Sequence, residues 1–185
     1  MAGDPVDGWK REIREASSRF NIPQRWIRRV IRAESGGKAF SDGQPIVSRA
    51  GAMGLMQLMP GTWLEMRAML GLGSDPFTPR DNILAGTAYL RMMYDRFGYP
   101  GLFAAYNAGP ARYAAYLAGT RPLPAETQAY VTTVGREDRA KPIAPRLPAS
   151  LFAVRPPGTG GARTIEMNAF SPPPGLFVQL EGHEP

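Results

Sequence analysis

An all-α domain followed by a Pro/Gly-rich tail is the architecture that three observations on this sequence of 185 residues predict. Apolar residues recur at helical steps of three and four over most of the first 139 positions. No segment there alternates polar and apolar residues well enough to predict a strand. Nine of the 19 prolines fall within residues 140–185, in runs such as RPPGTGGAR and SPPPG. We therefore expect a helical domain over residues 7–139 and an extended or disordered tail over residues 140–185.

The helices are predicted from apolar spacing and from the prolines that precede them. The first follows Asp7, where Trp9, Ile13, Ala16 and Phe20 recur at steps of four, three and four and so share one face. Proline suits the first position of a helix because its missing N–H needs no partner there and its φ is already helical. Further helices, most of them with a proline at or near the start, are expected over residues 23–34, 60–70, 79–97, 101–107, 110–117 and 124–139.

The composition excludes several kinds of catalytic site. Because the chain has no cysteine, it has no thiol nucleophile, no disulfide framework and no cysteine-based zinc site. Its single histidine, His183, stands close to the C-terminal end, so a Ser-His-Asp triad or a multi-histidine metal site is not expected. The apolar runs are far shorter than the roughly 20 residues that a membrane span needs. Any catalysis is therefore expected to use carboxylates, hydroxyls and amides, with no cofactor and no metal.

Positive charge is a further feature, since 22 Lys and Arg against 16 Asp and Glu give a net charge of +6. Nucleic-acid binding is the function that such a charge first suggests. Four arginines of the second predicted helix, however, occupy the face opposite Ile27 and Val30, as a solvated helix surface does. No helix-turn-helix, zinc or RNP-like signature accompanies them, so nucleic acid is not favoured as a partner. These arginines are Arg25, Arg28, Arg29 and Arg32.

Glu34 is the most informative single residue. It ends the second predicted helix and lies seven, four and three residues after Ile27, Val30 and Ile31, so it shares their apolar face. A carboxyl there either finds a partner or has its pKa raised by desolvation, and a raised pKa suits a general acid working near neutral pH. The alternative is a glutamate at a helix end whose side chain turns to solvent beside Gly36.

Four segments in order carry a resemblance to a known family: ESGG at residues 34–37, GLMQLMP at 54–60, AYNAGP at 105–110 and ETQAYV at 126–131. They resemble the signature motifs of the soluble lytic transglycosylases, bacterial enzymes that cleave peptidoglycan. Asn82, Ile83 and Gly86 are similar to the family's helix between the second and third motifs. The resemblance spans roughly residues 9–138 and implies a mostly helical, lysozyme-like fold similar to goose-type lysozyme.

The resemblance also implies roles for residues around the acid. Glu34 corresponds to the family's only catalytic acid and base. Tyr106 is expected to approach its carboxylate, Tyr130 to line the site near the acid, and Asn107 to help shape the cleft. Each has a structural alternative: both tyrosines can be core residues with a satisfied hydroxyl, and Asn107 can be a helix cap. Glu126 is first of all an acidic residue suited to a helix's first turn, and only then a possible site member.

Three further residues are implied to bind the substrate. Gln57 corresponds to the residue that holds the glycan, and Met56 to one that packs on a sugar. Ser48 precedes the second motif by a spacing that fits a polar site residue in relatives. Met56 can equally be part of the core. Gln57 is less readily explained that way, because a buried amide needs hydrogen-bond partners.

The number of carboxylates bears on the mechanism. Ordinary glycosidases use two, whereas the motifs here supply one strong candidate, Glu34. A single acid suffices if the 6-hydroxyl of N-acetylmuramic acid attacks its own anomeric carbon, with help from the N-acetyl oxygen. The expected product is a 1,6-anhydromuramyl end, formed without water. In the alternative, Asp42 positions a water and the chain is a hydrolytic muramidase, although Asp42 before Gly43 more often marks a turn.

Partners and location are expectations of the same kind. Peptidoglycan glycan strands are the expected substrate, and a basic surface suits the carboxylates of their stem peptides. A non-catalytic peptidoglycan-binding assembly factor is the alternative from another class. No leader is visible at the N-terminus, so a periplasmic protein here is a mature form or one whose leader has been replaced. The tail is a possible docking segment for a secretion, conjugation or flagellar assembly, through residues 151–152 or 176–178.

Overall fold

The computed structural model describes residues 3–135, and all that follows concerns that part of the chain. It opens with a short 3-10 helix, Pro5–Trp9. Seven α-helices and two short strands follow it within the described residues. The helices are α1 Lys10–Phe20, α2 Gln24–Ser35, α3 Pro60–Leu70, α4 Pro79–Phe97, α5 Gly101–Ala108, α6 Pro110–Leu117 and α7 Ala125–Val134. The strands are β1 Phe40–Ser41 and β2 Gln44–Pro45.

The predicted helices are all present, most of them with the predicted bounds. Prolines open α3, α4 and α6 at the positions that the sequence indicated. The prediction for the last helix was wrong at its end, because α7 stops at Val134 rather than running to residue 139. The N–H of Gly135 still donates to the Val131 carbonyl, but glycine is a poor helix former and the helix goes no further. The predicted tail, residues 140–185, lies outside the described residues.

Helix α4 is the centre of the domain, and it packs against α1, α3 and α5. Its middle is buried on nearly every side, which explains why residues from Asn82 to Ala88 are small or apolar with few exceptions. Helix α7 packs on α5 and α2. Through this arrangement the C-terminal end of α2 comes to lie near α5 and α7, and the loop between β2 and α3 comes to lie on α4.

The two strands form a hairpin that the sequence did not predict as strand. Phe40 pairs with Pro45 and Ser41 with Gln44, so only two residues separate the strands. Both of those residues have left-handed backbone, with φ of 52° at Asp42 and 76° at Gly43, as a tight hairpin turn requires. The predicted Asp-Gly turn is thus confirmed, whereas strands of two residues carry too little alternation to be recognised.

Among the described helices, none is both long and apolar enough to cross a membrane.

Candidate active site

Glu34 lies in the last turn of α2, on the face that the sequence indicated. Ile27, Val30 and Ile31 beside it are completely buried, and the carboxyl itself is half-buried. Burial raises the pKa of Glu34 from 4.5 to about 7, the hydrogen bond from Tyr130 opposes this rise, and the nearby charge of Glu126 adds to it. A carboxyl with such a pKa is present both as the acid and as the carboxylate at neutral pH.

Tyr130 is the direct partner of that carboxyl. Its hydroxyl donates to Oε1 of Glu34 at 2.7 Å, from the face of α7 that is turned toward α2. Burial and the negative charge of Glu34 raise the pKa of Tyr130 well above its ordinary value, so the phenol keeps its proton and remains a donor. The prediction that Tyr130 lies beside the acid agrees with this geometry.

Tyr106, on α5, donates its proton to the backbone rather than to Glu34. Its hydroxyl is buried and donates to the backbone carbonyl of Met56 at 2.8 Å. Its ring packs against Tyr89, with the ring centroids 5.4 Å apart. Burial, followed by the negative charge of Glu34, raises the pKa of Tyr106 well above its ordinary value, so the phenol keeps its proton.

Met56 is a core residue in this structure. Its side chain is fully buried, and its sulfur accepts a hydrogen bond from the Thr87 hydroxyl at 3.9 Å. A Cβ at Gly86 would approach the Met56 sulfur to 2.5 Å, so only glycine leaves room for it on α4. The expectation that this side chain packs on a sugar is therefore wrong for this conformation. What Met56 contributes is its backbone: its N–H donates to Asn82 and its carbonyl accepts from Tyr106.

Gln57 turns the loop toward α3 with a left-handed backbone, at φ 47°. Its side chain folds back, and Nε2 donates to the Gly54 carbonyl at 2.8 Å. The side chain is half-buried, so it is reachable from solvent in a way that Met56 is not. Its predicted contact with glycan stays a prediction.

Asn82 is the residue whose part in the site the sequence did not reveal. It is completely buried at the start of α4, and its Oδ1 accepts the Met56 N–H at 2.8 Å. Its Nδ2 donates to the carbonyls of Met53 at 3.1 Å and Pro76 at 2.9 Å. A Cβ at Gly54 would come within 2.5 Å of that nitrogen, so the loop touches Asn82 directly. The available signal was an asparagine in a helical segment that is otherwise apolar.

Ser35 ties the same loop to the helix that carries the acid. Its hydroxyl is close to two carbonyl oxygens, that of Leu55 at 2.8 Å and that of Ile31 at 3.1 Å. The residue directly after Glu34 is thus held against the residue directly before Met56.

Asn107 and Ser48 have structural contacts that can be stated. Oδ1 of Asn107 accepts from the Thr127 hydroxyl at 2.8 Å, which joins α5 to α7 three residues before Tyr130. Ser48 lies in the loop before the second motif, where its Oγ accepts the Ala52 N–H at 3.0 Å and so closes its own turn. Their predicted contacts with substrate stay predictions.

The arginines of α2 are largely engaged within the protein. Arg28 forms ion pairs with Asp4 at 3.2 Å and Asp7 at 2.5 Å, and Arg32 also pairs with Asp4. Arg29 donates to the Val134 carbonyl at 3.5 Å. This basic face thus anchors the N-terminal segment and α7. Over residues 3–135 there is also no group of three or more acidic or histidine side chains placed to bind a metal ion.

Comparison with known proteins agrees with this geometry. Residues 11–128 match the family model described as the transglycosylase SLT domain. The soluble lytic murein transglycosylase of Escherichia coli (strain K12) is 39% identical over 103 residues, which are 52% of this chain and 15% of that protein. The transglycosylase of Enterobacteria phage PRD1 is 38% identical over 90 residues, which are 49% of this chain and 30% of that protein.

Solved structures give the same result. The crystal structure of the 70 kDa soluble lytic transglycosylase from Escherichia coli is similar with a TM-score of 0.58 and 33% identity, over 66% of this chain and 22% of that chain. The lytic transglycosylase Slt from Pseudomonas aeruginosa, solved as an inactive Glu-to-Gln mutant, is similar with a TM-score of 0.56 and 31% identity over the same shares.

This chain matches at most 30% of the length of each of these relatives. The expected all-α, lysozyme-like fold is confirmed by the likeness to the Escherichia coli structure. Because the family model matches well over half of the sequence, the chain belongs to the transglycosylase SLT domain family.

Proposed function

We propose that this chain is a lytic transglycosylase that cleaves peptidoglycan between N-acetylmuramic acid and N-acetylglucosamine and leaves a 1,6-anhydromuramyl end. The observation that carries the proposal is the environment of Glu34. Burial raises the pKa of this carboxyl to about 7, and the Tyr130 hydroxyl donates a hydrogen bond to it at 2.7 Å. The names of the matching relatives, lytic murein transglycosylases, support the same chemistry.

The reaction needs one proton donor that later becomes a proton acceptor. In the first step, protonated Glu34 gives its proton to the glycosidic oxygen, the bond from that oxygen to the muramyl anomeric carbon breaks, and N-acetylglucosamine leaves as an alcohol. The N-acetyl oxygen of the muramyl residue stabilises the positive charge at the anomeric carbon. In the second step, the Glu34 carboxylate takes the proton of the 6-hydroxyl while its oxygen bonds to the anomeric carbon. Glu34 ends protonated, and no water is consumed.

The surroundings of Glu34 suit both steps. Burial favours the acid and so supplies the proton donor near neutral pH. The Tyr130 hydroxyl donates to the carboxylate and so stabilises the intermediate state, in which Glu34 is charged. A pKa near the working pH keeps the free-energy difference between these two states small, which is what an alternating acid and base requires.

Hydrolysis with the help of Asp42 has no support in the described structure. Asp42 is exposed in the hairpin turn, its backbone is left-handed, and its carboxylate accepts from Ser41 at 3.2 Å. A hydrolytic muramidase and a non-catalytic binding protein remain the two alternatives, and the muropeptide analysis described below distinguishes them from a transglycosylase.

The proposed setting follows from the substrate. A protein that acts on peptidoglycan in this way is proposed to work in the periplasm. Gln57, Asn107 and Ser48 are proposed to contact the glycan. The residues predicted to dock to a secretion, conjugation or flagellar assembly, 151–152 or 176–178, lie outside the described residues, so this docking stays a prediction.

Mass analysis of muropeptides released from purified sacculi tests the proposal. We expect products lighter by one water than the corresponding reducing ends, and none from Glu34→Gln. Glu65→Gln, an exposed glutamate on α3, is the matched control and is expected to keep full activity. Reducing ends identify a hydrolase, and an absence of release with retained sacculus binding identifies a binding protein. Full activity of Glu34→Gln contradicts the assignment of the acid.

A further inference from the structure

A groove with a volume of about 260 Å³ is lined by residues of α5, α6 and α7. Helix α5 contributes the small residues Gly101 and Ala104, and α6 contributes Tyr113 and Tyr116. A Cβ at Gly101 would come within 2.9 Å of the Tyr113 hydroxyl oxygen, so glycine there lets the tyrosine lie directly against α5. The groove therefore combines small residues on one helix with aromatic residues on the next.

The two tyrosines of this groove form an aromatic pair. Their rings are stacked, with the centroids 6.0 Å apart and the planes 25° apart. Tyr113 also meets the Phe97 ring edge-on, at 5.1 Å between centroids. Tyr116, in contrast, is 44% exposed. Tyr113 is thus held by its neighbours, whereas Tyr116 presents a large apolar surface to whatever enters the groove.

The groove is separate from the site around Glu34. Gln128 and Val131 of α7 line it, and because they are three residues apart they lie on one face of that helix. Tyr130 belongs to another face of α7, from which its hydroxyl donates to Glu34. The aromatic groove therefore offers a second binding surface, on the side of α7 that is turned away from the acid.

The end of the described chain lies at the edge of this groove. The Tyr99 hydroxyl donates to the Gly135 carbonyl at 2.7 Å, and a Cβ at Gly135 would lie 3.7 Å from Cβ of Pro100. Pro100 itself lines the groove. The residues that follow Gly135 therefore start beside it, and a short linker gives any segment among them a high effective concentration there.

Three prolines soon after Gly135 have a spacing that suits such a groove. Pro142, Pro145 and Pro148 recur at every third residue, in the sequence PIAPRLP. A polyproline II helix has three residues per turn, so these prolines would share one edge of it. The seven residues from Gly135 to Pro142 reach at most about 25 Å when extended. The part of α7 from Gln128 to Gly135 is about 10 Å long, so the segment can turn back to the groove.

We propose that the groove lined by Tyr113 and Tyr116 binds residues 142–148 of the same chain as a polyproline II segment. Grooves lined by aromatic residues bind proline-rich segments, since the rings pack on the prolines and an extended segment has little conformational entropy left to lose. Tyrosine hydroxyls can also donate to the backbone carbonyls, which this helix leaves without internal partners. Docking involves neither Glu34 nor substrate, and so it is independent of the proposed reaction.

Paramagnetic NMR on the full chain tests this proposal. Because the chain has no cysteine, a nitroxide can be attached selectively to Ser150→Cys, just after the segment. We expect the nitroxide to broaden the backbone amide signals of Tyr116 and Gln128, compared with the same sample after reduction by ascorbate. Alanine at all three prolines of the segment is expected to remove most of this broadening. Tyr116→Ala is expected to remove most of it from the Gln128 signal.

Two matched variants serve as controls in the same labelled chain. The first places alanine at Pro172, Pro173 and Pro174, three prolines elsewhere in the chain that lack the spacing of three. The second is Leu117→Ala, which removes an exposed residue that neighbours Tyr116 in sequence but does not line the groove. Both are expected to leave the broadening unchanged.

Three results overturn the proposal. Undiminished broadening without the prolines of residues 142–148 shows that these prolines do not bind the groove. Loss of broadening in the control at residues 172–174 assigns the groove to another segment. Broadening of an isotope-labelled chain that carries no nitroxide, when it is mixed with nitroxide-labelled chain, assigns it to a second copy. The proline variants change no residue of the described domain, so they decide the matter even if Tyr116→Ala does not fold. The muropeptide analysis alone tests the proposed reaction.

Discussion

Replacing Glu34 with Gln tests, through the free energy of unfolding, the desolvation on which the proposed chemistry depends. Glutamine has nearly the same shape, carries no charge, and its carbonyl oxygen can still accept from Tyr130. The native state then no longer holds a carboxylate in a buried position. We therefore expect the variant to be more stable than the wild type wherever wild-type Glu34 is ionised.

The magnitude follows from the change in pKa. A rise from 4.5 in the unfolded chain to about 7 in the native state means that the native state binds the proton more tightly. Below the lower value the carboxyl is protonated in both states, and no stability is lost. As pH rises through this window the native state loses stability, by roughly 3 kcal/mol in total at about 1.4 kcal/mol per pKa unit. Above pH 7 the loss is complete.

Comparison of the variant with the wild type at each pH isolates this effect. Asp4, Asp7 and Glu15 have lowered pKa values because of hydrogen bonds to the backbone or to arginines, so their contribution is lost as pH falls. They are unchanged in the variant and cancel in the difference.

Urea denaturation followed by tryptophan fluorescence supplies the measurement. We expect Glu34→Gln and wild type to have nearly equal free energies of unfolding near pH 4, and the variant to be more stable by about 2–3 kcal/mol near pH 8. Glu65→Gln is the exposed control, for which a change within about 0.5 kcal/mol is expected at both pH values. Equal stability of wild type and Glu34→Gln at pH 8 refutes the reasoning, because the carboxylate then carries no desolvation cost.

Three further predictions concern the neighbours of the acid and the packing beneath it. Tyr130→Phe removes a hydrogen bond that lowers the pKa of Glu34, so the alkaline limb of the pH–rate profile moves to higher pH and turnover falls about tenfold. Glu126→Gln removes a charge that raises this pKa, so the same limb moves to lower pH. Gly86→Ala brings a Cβ to 2.5 Å from a buried methionine sulfur and lowers the free energy of unfolding by about 1–3 kcal/mol in urea denaturation. Gly8→Ala, where the added Cβ meets open space, is its control and changes stability little.

The predictions for the pH profiles and for the glycine variants are contradicted by different results. If the profiles of Tyr130→Phe and Glu126→Gln move in the same direction, the pH dependence does not report Glu34. If Gly86→Ala is as stable as Gly8→Ala, the methionine has room to move, and the close contact beneath the loop is not a constraint.

Most of the fold could be predicted because its signals are local. The helices from α3 to α6 begin at or near a proline or glycine and continue through apolar residues spaced for one face, and both signals are visible in a short window of sequence. The hairpin strands were missed because Phe40–Ser41 and Gln44–Pro45 are too short to show an alternation. Their turn could be predicted, since an Asp-Gly pair has a specific backbone preference.

The site could be predicted in part, and its gaps have a physical cause. The face of Glu34 follows from helical spacing, and the place of Tyr130 follows from the motif. Met56 was assigned to the sugar from the motif resemblance, with the core as the alternative, and no periodicity distinguishes the inner from the outer side of an irregular loop. Asn82 was named as part of the family's helix but given no role in the site, because an asparagine in a helix has many explanations. Only the fold shows that a loop about 25 residues earlier in the sequence, at 2.8 Å, is its partner.

Precision in this site comes from an irregular loop that is held by three separate helices. The Leu55 carbonyl accepts from Ser35 at the end of α2, the Met56 N–H donates to Asn82 in α4, and the Met56 carbonyl accepts from Tyr106 in α5. Three successive polar groups of one backbone stretch are thus fixed from different directions, and no neighbouring strand is needed to hold them. A rotation of the peptide group between Leu55 and Met56 has to break two of these bonds, those to Ser35 and Asn82, in a buried region where an unsatisfied polar group costs about 1–3 kcal/mol. The loop beside the acid is therefore held in part by a residue of another helix, Asn82, and substitutions in α4 are expected to alter the chemistry at the end of α2.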